Sequence, residues 1–238
     1  MELTLPRLRP GALVGALYAW MIAITVVVTV VAWDHPVLRA VIAMGWGVIV
    51  LWITLCGGLM WRYRAPLRAW VASLPGDPRL KFFLGCVALA LVEEAVTTSM
   101  TNLAPALGVP IGRAYVTASG NYLDVIALHS VVILLPMFAA WTWLAFRWRF
   151  TANEAFALFG VIGIYAEKHP AEFAFWVFVY GLMVWLPAYC LPDREQLPRP
   201  RLLQYALAIA VPIAAAAPVV FLLLHSGHPL VHFAPIEP

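Results

Sequence analysis

The chain has 238 residues, of which 63% are hydrophobic and 11% charged, with a formal net charge of +3 and a mean hydropathy of +0.87. Soluble domains carry about 25% charged residues, so composition excludes a soluble globular protein and indicates an integral membrane protein. The basic excess is not gathered into a patch interleaved with aromatics and meets no recognition motif, which excludes nucleic acid as a partner.

Judged against the roughly 20 residues needed to cross a hydrocarbon core, seven stretches are predicted as spans: 11–33, 37–61, 80–103, 121–146, 153–168, 171–191 and 202–224. The first is too long for a signal-peptide core and has no small-residue cleavage pattern, so it reads as a retained anchor. The second is followed by Arg62, Arg64 and Arg68, and the third is preceded by Arg79 and Lys81. The fourth opens on Asn121-Tyr122-Leu123-Asp124 and is interrupted by Pro136. The fifth is short and ends in Glu167-Lys168-His169, which suits a tilted, half-buried or re-entrant segment as well as a full crossing. A Pro-rich loop over 192–200 leads to the seventh.

With no long linker or repeat, residues 1–238 are read as a single transmembrane domain. The expected fold is all-α, a polytopic integral membrane helical bundle of about seven transmembrane helices. Twelve of the 15 Lys and Arg fall on one side if the N-terminus is cytoplasmic, leaving Arg39, Arg113 and Lys168 on the other. By the positive-inside rule this places the C-terminus outside. The implied location is a cell membrane, of the prokaryotic cytoplasmic kind. Cys56, Cys86 and Cys190 are odd in number and widely spaced, so neither a disulfide framework nor a CxxC metal site is available.

Polar residues inside the spans carry the functional signal. Glu93 and Glu94 interrupt an apolar run that starts at Phe82, and a charged group at the centre of a membrane helix costs about 2.5–3.5 kcal/mol. Glu94, Thr98 and Thr101 share one helical stripe, and Glu93 and Thr97 form another about 100° away. Thr97, Thr98, Thr101, Asn102, Asn121 and Asp124 are candidates for a polar cavity or substrate site. At 1.5 Å per residue, Glu94 lies about 13 Å below the outer end of its helix and His129 about 12 Å below the start of the next. Glu93, Glu94 and His129 are therefore the candidate catalytic residues, with Glu94 and His129 as candidate metal ligands and His169 as a weaker one. No cofactor is specified, but a divalent metal such as zinc suits the donor set.

The cluster Glu167, Lys168, His169 and Glu172 reads as a solvated turn. His225, His228 and His232 have spacing that suits a metal, but Pro229 breaks any helix there and no carboxylate accompanies them. They are expected at the surface or membrane interface. The sequence contains no nucleophile elbow, Walker loop or HExxH.

The segment from Leu91 to about Trp185 resembles the CPBP family, the CAAX-protease and bacteriocin-processing group of intramembrane enzymes. Glu93-Glu94 match the family's glutamate pair, and His129 matches the histidine that follows on the next helix. Phe156 to Lys168 is similar to its aromatic-and-glycine element. The arginine of the family's EExxxR is Thr98 here, and Val177–Val184 stands where its last histidine and asparagine should fall. The resemblance implies hydrolysis of a lipophilic peptide or lipid-like substrate, with glutamate as base and histidine assisting. A fainter similarity, to membrane lycopene cyclases, rests on Glu93-Glu94 followed by Thr101-Asn102, without that family's second acidic motif. Two other readings use the same residues: a proton- or cation-coupled transporter, or an accessory subunit whose polar groups pair with a partner helix. The expected partners are the lipid bilayer and a lipophilic or peptide substrate.

Overall fold

A computed structural model describes residues 10–167, 170–229 and 231–236. Among them the chain forms seven long helices: α1 (Pro10–Val31), α2 (Pro36–Ser73), α3 (Pro78–Asn102), α4 (Tyr122–Ala145), α5 (Ala152–Glu167), α6 (Phe173–Cys190) and α7 (Leu202–His225). Five of them, α1, α2, α4, α6 and α7, are long and apolar enough to cross a membrane. The all-α membrane-bundle expectation holds. No strand occurs among the described residues, where pairing is limited to an isolated bridge between Ile111 and Ala114.

Helix ends follow local chemistry. Asp77 caps α3, its carboxylate accepting from Arg79 N at 2.8 Å, with Pro78 at the first helical position, where a missing N–H costs nothing. Asn121 caps α4 by accepting from Leu123 N at 3.0 Å. Thr151 and Glu154 form a reciprocal capping box at the start of α5, with Glu154 Oε2 accepting from Thr151 N at 2.6 Å and Thr151 Oγ1 from Glu154 N at 3.2 Å.

Two helices differ from the simple spans expected. α2 runs through all 38 residues from Pro36 to Ser73, beyond the predicted end at 61. Hydropathy stops at the arginines, whereas the helix does not need lipid to continue. Its length of about 57 Å at 1.5 Å per residue carries Arg62, Arg64 and Arg68 past the hydrocarbon. α5 has only 16 residues and is held by close contact with α6 through Gly160, Gly163 and Gly181. A Cβ on Gly160 would lie 2.8 Å from the Val177 backbone, and one on Gly181 2.7 Å from the Phe156 carbonyl oxygen.

Basic residues gather at one end of the bundle, where the loops after α2, α4 and α6 are clasped together. Arg68 pairs with Asp193 at 2.6 Å. Arg194 donates to the carbonyls of Ala145 and Phe150, and Arg149 N donates to Pro198 O. The α1–α2 turn, the 103–121 loop and the C-terminal tail belong to the opposite end. The core lies between α2, α3, α4, α5 and α6. Trp52 and Trp141 are fully buried there, and Trp52 Nε1 donates to Val179 O across the bundle at 3.1 Å. α3, which carries the glutamates, is flanked by α2, α4 and α6, so both of its polar stripes face protein.

Candidate functional site

The helix that supplies His129 is not regular. From Val125 to His129 it widens into a π-turn in which Ser130 N–H bonds Val125 O, five residues back. At His129 the backbone, with φ −128° and ψ −90°, leaves helical values before the α-helix resumes. Such one-turn insertions re-aim side chains and recur at functional sites. Here the insertion puts Asp124 and His129 on the same side of α4, where His129 Nε2 lies 3.3 Å from Asp124 Oδ2.

The other half of this cluster comes from the tail. Gly227, in the left-handed region at φ +75°, ends α7, and His228 N donates to Ser226 Oγ at 3.2 Å. The chain then folds back over the bundle end. His232 N donates to Ala118 O at 2.9 Å, and the ring of Phe233 packs on Tyr115 with centroids 4.9 Å apart. As a result His228 Nε2 lies 3.3 Å from His129 Nε2 and 3.4 Å from Asp124 Oδ1. His232 Nε2 lies 3.0 Å from both His228 Nε2 and Asp124 Oδ2. His228 is half-buried and His232 exposed, so the expected surface position holds, but both have partners there. The carboxylate missing beside them in sequence is Asp124, delivered from α4. His225 stays apart, its Nδ1 2.8 Å from Phe221 O.

Four donor atoms, one from each of Asp124, His129, His228 and His232, lie within 4.8 Å of one another. Zinc–nitrogen and zinc–oxygen bonds of about 2.0–2.1 Å give a tetrahedron whose edges are about 3.3 Å. With Asp124 Oδ2 as the carboxylate vertex, four of the six edges measure between 3.0 and 3.3 Å, and the other oxygen, Oδ1, lies 3.4 Å from His228 Nε2. Three imidazole nitrogens turned toward one another satisfy each other poorly, because each proton can bridge only one pair. Asp124 Oδ2 is buried and receives no well-aligned hydrogen bond, although two imidazole nitrogens lie within 3.3 Å of it. A divalent cation fits both facts.

Glu94 is not among these donors. Its carboxylate accepts from Thr97 Oγ1 at 3.2 Å and from the Ser130 hydroxyl, so it sits one residue removed from His129. Glu93 and Glu94 are both buried, 4% and 6% exposed. Both line a cavity of about 1200 Å³, together with Thr97, His129, Tyr180 and Glu167. Glu167 accepts from Tyr180 Oη at 2.7 Å and lies within electrostatic range of both α3 glutamates. It therefore belongs to the site, where the sequence suggested a solvated turn. The depth argument that put Glu94 and His129 at one level thus leads to one chamber, though not to one ligand set.

The remaining predicted residues serve other ends. Thr101 Oγ1 accepts from Val116 N at 3.1 Å, and Asn102 Nδ2 donates to Gly120 O at 2.9 Å. With the Asn121 cap, they pin the 103–121 loop against the end of α3. Thr98 is buried with its hydroxyl unpartnered. Neither Thr98, Thr101, Asn102, Asn121 nor Asp124 lines the cavity. His169 and Lys168 lie outside the described residues. The stretch of α6 where a last histidine was sought, Val177–Val184, is apolar core, mostly buried.

Compared with family models, curated proteins and solved structures, the chain matches none.

Proposed function

We propose that the chain is a membrane-embedded, metal-dependent hydrolase acting on a lipophilic substrate held in the 1200 Å³ cavity. The observation that carries this reading is the near-tetrahedral convergence of Asp124, His129, His228 and His232 at the edge of that cavity. Imidazole and carboxylate ligands without cysteine are the donor set of catalytic rather than structural zinc sites. Such an ion, held by three of these donors with the fourth position left open, would polarise a carbonyl and lower the pKa of a coordinated water.

The chain's own residues supply the rest. Asp124 has an oxygen toward each side of the cluster and orients the imidazoles. Glu94, hydrogen-bonded to the Ser130 hydroxyl beside His129, is placed to take a proton from water and return it to a leaving group. Glu93 faces the same chamber. Glu93, Glu94 and His129, which carry the resemblance to CPBP enzymes, all open on it, and the tail supplies the histidines that α6 lacks. The cavity walls include Trp20, Val28 and Ile213, which are exposed, so the chamber is open to its surroundings there. Substrate entry from the bilayer follows from that.

One observation favours a second reading. Glu93, Glu94 and Glu167 stand close together and outside the ligand set, which suits proton- or cation-coupled transport. The test is elemental analysis of protein purified in neutral detergent without chelator, followed by assays of lipidated-peptide, lipid-ester and lipid-amide hydrolysis. About one metal per chain is expected, lost in His228→Ala and His232→Ala and kept in Glu94→Gln and His225→Ala. Hydrolysis is expected in the wild type and not in Glu94→Gln. Equal metal in His228→Ala and wild type would remove the metal centre. Metal-loaded protein that hydrolyses nothing but drives cation uptake into liposomes would move the assignment to transport.

A further inference from the structure

The cavity is chemically lopsided. Its described lining includes four carboxylates, Glu93, Glu94, Glu167 and Glu172, and no lysine or arginine, while most of the wall is aliphatic and aromatic. Drug-sized pockets span about 300–1000 Å³, and this one, at about 1200 Å³, has room for a long chain.

Glu94 has hydroxyl partners in Thr97 and Ser130, and Glu167 has Tyr180. Glu93 differs. It is 4% exposed and lines the cavity, yet among the described residues its carboxylate has no hydrogen-bond donor, and Glu94 and Glu167 lie within its electrostatic range. A buried carboxylate without a donor is expensive, and two acidic neighbours add to the cost. A cation brought into the chamber would relieve it.

We infer that the chamber binds a single-chain amphiphile with an ammonium head, the head resting against Glu93, Glu94 and Glu167 and the hydrocarbon chain lying along the apolar wall. This rests on the reading of the cavity as the substrate chamber and names the class of molecule it takes. A carboxylate or sulfate head would meet only like charge. A zwitterionic phosphocholine would bring a phosphate among the glutamates. A neutral alcohol would leave Glu93 uncompensated.

Binding of radiolabelled dodecyltrimethylammonium to the full chain in neutral phosphatidylcholine nanodiscs tests the inference directly. Unlabelled dodecylamine should displace the probe at least tenfold more effectively than dodecanol, laurate or lysophosphatidylcholine. That series uses the wild type alone and needs no variant to fold. Glu93→Gln and Glu167→Gln should each weaken binding at least tenfold. His225→Ala, outside both the donor cluster and the cavity lining, should leave it unchanged, and the chelator-stripped wild type should still bind the amine, which separates this site from the metal centre. Equal competition by dodecanol or laurate overturns the inference. So does wild-type binding in folded Glu93→Gln, or loss of binding in the chelator-stripped wild type.

Discussion

His232 Nε2 stands 3.0 Å from Asp124 Oδ2, although the histidine lies beyond the last helix and the aspartate in the first turn of α4. With His129 and His228 the pair closes one end of the bundle around four converging donor atoms.

Metal should therefore act as a tether. Ligand present at a hundredfold excess over its dissociation constant stabilises a fold by about 2.7 kcal/mol. A chelator is expected to lower the melting temperature of the wild type in detergent and to have no effect on His228→Ala. Equal melting with and without chelator in the wild type would contradict the tether.

Gly227 gives the tail its reversal, at φ +75°, where an L-residue costs about 1–2 kcal/mol. Gly227→Ala should preserve the helical bundle, judged by circular dichroism, and weaken metal binding about tenfold, since 1.4 kcal/mol corresponds to a factor of ten. Metal titration of the stripped protein would measure it.

Glu93 and stability should trade against each other. A charge at mid-helix costs about 2.5–3.5 kcal/mol, so Glu93→Gln is expected to stabilise the protein by about 1–3 kcal/mol while abolishing turnover. A thermal melt in which Glu93→Gln is less stable than wild type would show that the carboxylate holds the fold.

The α5–α6 contact should tolerate no side chain. At Gly160 a Cβ would meet the Val177 backbone at 2.8 Å, and overpacking of this kind costs about 1–3 kcal/mol. Gly47→Ala, whose Cβ meets only the flexible Met100 side chain, should cost less. The comparison is a thermal melt of Gly160→Ala beside Gly47→Ala.

Arg194 donates to the carbonyls of Ala145 and Phe150. In Arg194→Ala both lose that donor, at about 1–3 kcal/mol for each buried acceptor left unpaired. Faster hydrogen exchange confined to the loops after α4 and α6 is the expected signature.

The helices were legible because lipid imposes one pattern on every span: a run of apolar residues of fixed length. That pattern reads lipid contact rather than helicity, so it stopped at Arg62 while α2 continued to Ser73. Glu93, Glu94 and His129 were legible because a polar group in an apolar run stands out and helical rise fixes its depth. The tail was not. His228 and His232 follow a helix end and a proline, and nothing nearby in sequence announces that they fold back onto Asp124. Their four-residue spacing was the available signal, and it needed His129 beside it to count. The π-turn at Val125–His129 has no hydropathy signature, yet it aims two of the four donors.

Because two of those donors lie in the chain's final segment, the order of synthesis has a consequence. α1 to α6 can be threaded into the bilayer and packed before His228 and His232 have been made. Until α7 has crossed and delivered the tail to the far side, the chamber has its carboxylates but lacks the α7 part of its apolar wall and two of the four donors. A chain clipped between Gly227 and His228 would keep all seven helices and lose two of the four donors.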